Sequence, residues 1–322
     1  MHMSDALVSP AVAATTGAVS LLLLGTAIRR VGREPRHAEA TLPLMGVMGA
    51  FVFAAQLINF SIPGTGSSGH LVGGILLATL LGPWAGLLTL ASVLFIQCLL
   101  FADGGFLALG CNLFNMAVLS CLVAWPLVYR PIAARGDSPR RIFIAALLSG
   151  IAAAGLGAVA VTVETEASGI TALPWGRFLL FMLPIHLVIG LGEGLATAAV
   201  LDFVRRYRPE LLTAAVPSAP SRRRILRRLV PIVAATLLVA GAFSWIASTD
   251  PDGLEWSVEQ AAGTADLPAE RDAPHRAAAG IQEHTALLPD YDTSFAGLVG
   301  SGVLLAAAFG ATLLIRPGRR RS

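Results

Sequence analysis

Runs of roughly 17–25 apolar residues recur along this chain, the length that carries a helix across ~30 Å of hydrocarbon. In soluble helices and strands apolar residues return with a period of 3.6 or 2; here they arrive in near-continuous blocks. Of 322 residues 55% are hydrophobic and 13% charged, about half the ~25% charge of a soluble domain. Backbone in lipid must satisfy its own N–H and C=O groups. The expected fold class is therefore all-α, a polytopic integral membrane protein. Nine spans are expected, near 8–28, 42–60, 70–82, 84–101, 108–129, 142–163, 177–203, 229–247 and 295–315.

The charges give these spans a direction. All 23 Lys+Arg residues are arginines. Twenty of them fall in four clusters: Arg29 to Arg36, Arg130 to Arg141, Arg205 to Arg228 and Arg316 to Arg321. Only Arg177, Arg271 and Arg276 fall in the alternate loops. Positive loops stay in the cytoplasm, so the N-terminus is expected outside and the C-terminus inside. No arginine precedes the first apolar run, so this run reads as a retained span and not as a signal peptide. Residues 70–101 need a break, because an even number of spans must separate the first two arginine clusters. Gly82-Pro83 supplies it, since proline lacks an N–H and disfavours α geometry in the residue before it.

The chain divides into a seven-span bundle over 1–205, a basic linker over 206–228 and a two-span region over 229–322. The linker holds Pro209, Pro217, Pro220 and Arg222-Arg223-Arg224, a composition suited to anionic lipid headgroups and not read as a nucleic-acid surface. The last two spans flank an outer loop, 248–294, with ten acidic residues against Arg271 and Arg276. Such a loop either concentrates cations or is simply solvated and partly disordered.

Several chemistries are excluded. Without lysine there is no phosphate-binding Walker loop and no Schiff base. Cys98, Cys111 and Cys121 lie in apolar stretches and form no metal or redox pair. Gly64-Thr65-Gly66-Ser67-Ser68-Gly69 reads G-x-G-x-x-G, but it follows a membrane span and not a strand, so it is no dinucleotide site. Three histidines stand out. His2 and His70 fall on the outer side, and His186 lies in the outer half of the seventh span. Ionisable groups at membrane depth are costly and usually functional. Glu193 follows His186 by two helical turns; a hydrogen-bonded packing pair is the plain reading. The amine of Met1, the main-chain nitrogen of His2 and its ring can chelate one ion, and His70 would complete a planar nitrogen set. Such sites suit Cu(II) or Ni(II).

At these residues the chain resembles the CbiM/NikM family, the substrate-binding membrane components of cobalt and nickel energy-coupling-factor transporters. The motifs are Met1-His2-Met3-Ser4-Asp5-Ala6, Asn59-Phe60, Gly69-His70-Leu71-Val72-Gly73-Gly74 and Phe101-Ala102-Asp103-Gly104-Gly105. Gly110-Cys111-Asn112-Leu113-Phe114-Asn115-Met116-Ala117 and His186-Leu187-Val188-Ile189-Gly190-Leu191-Gly192-Glu193-Gly194 follow in order. Pro251-Asp252-Gly253-Leu254-Glu255 resembles the signature of the auxiliary component, which implies a fusion of the two. The resemblance implies that Met1, His2 and His70 hold the ion, with Asn115, His186 and Glu193 supporting the site or packing beside it. It implies a transported ion, Ni(II) or Co(II), with no cofactor and no enzymatic activity of the chain's own. It also implies partners: a transmembrane coupling protein and ATPase subunits in a bacterial inner membrane. Ser4 and Ala6 depart from the usual proline and glycine, which alters the stiffness of that first turn.

Two other functions remain open on the residues alone. A metalloenzyme built on His186 and Glu193 lacks an H-E-x-x-H helix. A non-transporting metal sensor or assembly module would instead receive the ion on the acidic loop and His284.

Overall fold

In the computed structural model the protein is a helical bundle. The structure describes residues 1–33, 35–135, 138–207, 209, 222–242, 247–264, 267, 272–291 and 295–314. Most of the linker, from 210 to 221, and the last arginine cluster lie outside the described residues.

Eleven helices are described: α1 (Pro10–Gly32), α2 (Pro35–Gln56), α3 (Gly74–Leu81), α4 (Pro83–Phe101), α5 (Leu109–Ala133), α6 (Pro139–Ser168), α7 (Trp175–Tyr207), α8 (Arg222–Ala242), α9 (Gly253–Ala262), α10 (Ala273–Thr285) and α11 (Ala296–Leu314). α1, α4, α5, α6 and α7 are long and apolar enough to cross a membrane, and α2, α8 and α11 carry shorter apolar stretches. α1 begins after Ser9, whose hydroxyl accepts from Val12 N, with Pro10 in the first turn, where a missing N–H costs nothing. Leu21, Leu22 and Ile28 on α1, and Leu180, Leu191 and Leu195 on α7, face outward from the bundle. An apolar exterior of this kind is what a lipid-facing surface requires.

The apolar stretch 70–101 breaks at Gly82, where the backbone turns at φ +83° into Pro83. The stretch before the break differs from the span expected at 70–82. Helix begins only at Gly74 and runs eight residues, about 12 Å at 1.5 Å per residue. It is too short to cross the bilayer alone, and it is buried, with Ile75, Leu77 and Ala78 fully enclosed. The residues ahead of it are extended. β1 (Phe60–Ile62) and β2 (Ser67–Gly69) form an antiparallel hairpin in the register Phe60↔Gly69 and Ile62↔Ser67.

Small residues set the tightest contacts. A methyl at Gly150 of α6 would lie 2.7 Å from Gly194 N of α7, so these backbones touch directly. In the same way α11 lies on α2, where a side chain at Gly300 would collide with Phe53 and one at Gly46 with Ala308. The two-span region is thus packed against the seven-span bundle.

The segment 248–294, open at the sequence level to a disordered reading, contains two folded helices. α9 starts from a reciprocal capping box between Asp252 and Glu255, and α10 from Asp272, which accepts from His275 N. Both close over the end of the bundle that holds the N-terminus.

A candidate metal centre around the amino terminus

The first seven residues run inward. Met1 is 5% exposed and Met3 fully buried. Met3 is held like a strand residue without a strand. Its N–H donates to Asn112 Oδ1 at 2.7 Å, and its carbonyl accepts from Asn112 Nδ2 at 3.1 Å and from Gly105 N at 2.9 Å. Asp5 Oδ1 accepts from Ala108 N at 2.9 Å. Asp5–Leu7 makes one tight turn with Ser4 extended before it, so the turn forms with Ser4 and Ala6 where proline and glycine are usual.

This path delivers the amine of Met1 to within 3.1 Å of His70 Nε2. His70 lies in the extended piece between β2 and α3. Its Nδ1 faces the Leu71 carbonyl at 3.1 Å, which assigns the proton to Nδ1 and leaves the Nε2 lone pair toward the amine. Val72 N and Gly73 N donate to the two carboxylate oxygens of Glu193 at 2.6 and 2.9 Å. A helix in the core thereby clamps the strip that carries His70. Gly73 sits at φ +79° against Val52, where a side chain would be both strained and crowded.

The His2 ring stacks on His70, centroids 5.2 Å apart and nearly parallel. His2 Nδ1 lies 2.8 Å from Asp103 Oδ1, and its Nε2 has no partner among the described residues. Asp103 also accepts from the Tyr291 hydroxyl at 2.6 Å. Burial pushes the Asp103 carboxyl up, but the His2 charge and the hydrogen bonds from His2 and Tyr291 outweigh it, leaving it at about 2. His70 is pushed down to about 3, first by burial and then by the neighbouring amine and His2 charges, so it stands neutral as a lone-pair donor.

Asp252 arrives from the second domain. Its Oδ2 lies 2.7 Å from the amine and 3.9 Å from His70 Nε2. Burial raises its pKa, yet the charged amine beside it holds it below the usual carboxylate range. Nearby, Ser68 N donates to the Pro251 carbonyl at 2.8 Å and Ser68 Oγ to that of Asp250 at 2.8 Å, tying this segment to β2.

Met1, His70, Asn115, His186, Glu193 and Asp252 line one cavity of about 20 Å³, room for a single water or ion. His2 stacks on His70 and does not line this cavity. His186 and Glu193 are not bonded to each other: Glu193 holds backbone, and His186 Nδ1 faces the Met182 carbonyl at 2.8 Å. His186 Nε2, in a side chain 1% exposed, has no partner among the described residues. Asn115 donates to Glu164 Oε2 at 2.6 Å. Among the described residues no group of three or more His, Cys, Asp or Glu side chains is arranged to hold a metal ion. What converges here is instead a mixture of amine, main chain and imidazole.

Residue-by-residue reading missed Asp103, although it lies inside the Phe101–Gly105 motif. It also missed Asp252 as a site residue, although Asp252-Gly253-Leu254-Glu255 has the D-x-x-E spacing of a capping box. His275 gave no signal at all. It is buried, 4% exposed.

Fold and site together define a multi-pass membrane protein with a buried polar site around Met1 and His70. Residues 2–211 match the family model described as the cobalt uptake substrate-specific transmembrane region, CbiM, and residues 226–317 match the PDGLE domain. The chain belongs to the CbiM family and carries a PDGLE domain after it. It is 33% identical to a putative fused nickel transport protein NikMN of Archaeoglobus fulgidus, covering 98% of this chain and 99% of the relative. It is 33% identical to the fused nickel transport protein NikMN of Rhodobacter capsulatus, over 98% of this chain and 95% of the relative. A crystal structure of a transition metal transporter matches with a TM-score of 0.54 and 31% identity, over 64% of this chain and 93% of that one.

Proposed function

We propose that this chain is the substrate-specific membrane component of an ATP-driven cobalt/nickel uptake transporter, capturing Co(II) or Ni(II) at the outer face. The observation that carries it is the 3.1 Å between the Met1 amine and His70 Nε2 inside a buried site. Two nitrogens bound to one ion at about 2.1 Å and at right angles stand about 3.0 Å apart. The His2 main-chain nitrogen is the next nitrogen along the chain and has a lone pair to give once deprotonated, and the His2 ring stacks on that of His70. A planar nitrogen set selects by geometry. Energy must come from elsewhere, since the chain has no Walker lysine; a coupling protein and ATPase subunits fill that role.

The ion must displace the amine proton and the amide proton, so binding releases acid and strengthens as pH rises. The test is calorimetry of Ni(II) and Co(II) with the purified chain, repeated in buffers of different ionisation enthalpy. His2→Ala, His70→Ala and a variant with extra residues before Met1 should each bind more weakly by a factor beyond the about 10–100-fold that outer partners cost. Full affinity in the extended variant would remove the free amine from the site. Accumulation of the metal in cells, with and without the ATPase partners, separates uptake from sensing.

A further inference from the structure

The second domain places one carboxylate in two roles at once. Asp252 Oδ1 caps α9, accepting from Leu254 N at 2.8 Å and Glu255 N at 2.9 Å. Its Oδ2 takes no part in the cap and is turned onto the amine. Position is fixed on both sides, by the Ser68 bonds described above and by Gly253. A Cβ on Gly253 would lie 2.7 Å from Ile189 Cδ1 and 3.2 Å from His186 Cε1, so only glycine lets α9 approach this closely. His186 supplies a separate observation. It is 1% exposed, its Nε2 is without a partner among the described residues, and it faces the same cavity as Asp252. A buried imidazole nitrogen left bare is costly, and an occupant of the cavity would relieve it.

Charge decides what Asp252 is for. Empty, the ammonium is paired with the Asp252 carboxylate and the two cancel, while Asp103 is paired with His2 and Glu193 with the Val72 and Gly73 N–H groups. Loaded, a divalent ion enters as the amine loses its proton and the His2 amide becomes an anion. One positive charge is left over unless a carboxylate stays, and a net charge in a buried site is expensive. Asp252 neutralises both states.

We propose that Asp252 of the PDGLE segment is an oxygen ligand of the captured ion, so that the second domain completes the site and closes it from the outer side. The carboxylate leaves the ammonium and turns to the metal as the amine proton passes to solvent. This rests on the metal-capture reading above, and the experiment separates the two.

Ni(II) and Co(II) binding is measured on the full chain in detergent for wild type, Asp252→Asn, Gly253→Ala, His70→Ala and the surface control Glu259→Gln. Asparagine caps a helix about as well as aspartate, so α9 stays folded, which circular dichroism verifies. Asp252→Asn and Gly253→Ala are expected to weaken binding by at least ~10-fold. Asp252→Asn is also expected to shift the d–d absorption of bound Co(II), which a purely structural role would leave alone. Glu259→Gln should behave as wild type. If Asp252→Asn keeps or improves affinity and leaves the Co(II) spectrum unchanged while His70→Ala loses both, the inference fails and the capture site stands. If His70→Ala also binds normally, the capture site fails and takes the inference with it.

Discussion

His70 shows how little of a site a side chain settles alone. Its Nε2 is aimed by the Leu71 carbonyl on the other nitrogen and by Glu193, which grips Val72 N and Gly73 N. Removing that carboxylate leaves two buried donors unsatisfied, at about 1–3 kcal/mol each. Glu193→Ala is therefore expected to destabilise the chain by about 2–6 kcal/mol in thermal melts. It should also weaken metal binding without touching a ligand. Glu193→Gln keeps one accepting oxygen and should recover about half of the loss; equal behaviour of the two variants would refute this role. The candidate ligands Met1, His2 and His70 were legible from residue type and order. Glu193 was legible only as a polar group at membrane depth, because its partners are backbone donors 120 and 121 positions away. The same holds for Asp252, which meets the amine across 251 positions.

At the scale of elements, sequence reading succeeded where apolar length was the signal and failed where it was not. The long spans and the break at Gly82-Pro83 follow from hydrocarbon thickness and proline chemistry. α9 and α10 are short and polar, and an acid-rich stretch looks like solvated chain. Their starts are written in local caps, Asp252 with Glu255 and Asp272 with His275, but their docking is not. α10 is held by His275, whose Nδ1 lies 2.6 Å from Asp272 Oδ1 and whose Nε2 lies 3.1 Å from the carbonyls of both Asp5 and Val8. Every partner is an acceptor, which calls for an imidazolium donating from both nitrogens. Burial pushes the His275 pKa down, but the Asp272 carboxylate and the two carbonyls outweigh it and raise it above 6.5. Stability from a raised group is complete below its unfolded value and fades as pH climbs through the folded one. Hydrogen exchange of the peptide 273–285, corrected for intrinsic rates, is expected to show full protection below pH 6.5 and loss above it. A profile unchanged across that window, or one shared by His275→Ala, would rule the histidine out as the latch.

The whole molecule is polarised end to end. One end gathers the amine, His2, His70, Asp103 and Asp252 under α9 and α10. Arg30 of the other end stacks over the Trp84 ring at 4.5 Å, which places the Gly82-Pro83 turn beside the first arginine cluster, as parity demanded. Arg130, Arg140 and Arg141 close the helices that return to that end. Twenty arginines against three are the basis on which we propose that this arginine-rich end lies in the cytoplasm, where positive loops are retained. An ion taken up from outside meets the metal centre first only in this orientation. The three native cysteines are buried and free, so single exposed cysteines can be added without removing them. Glu283→Cys on α10 is expected to react with a membrane-impermeant maleimide on intact cells. Arg135→Cys, between α5 and α6, should react only after permeabilisation. The reverse pattern would turn the metal centre toward the cytosol and make capture for uptake physically impossible at this site.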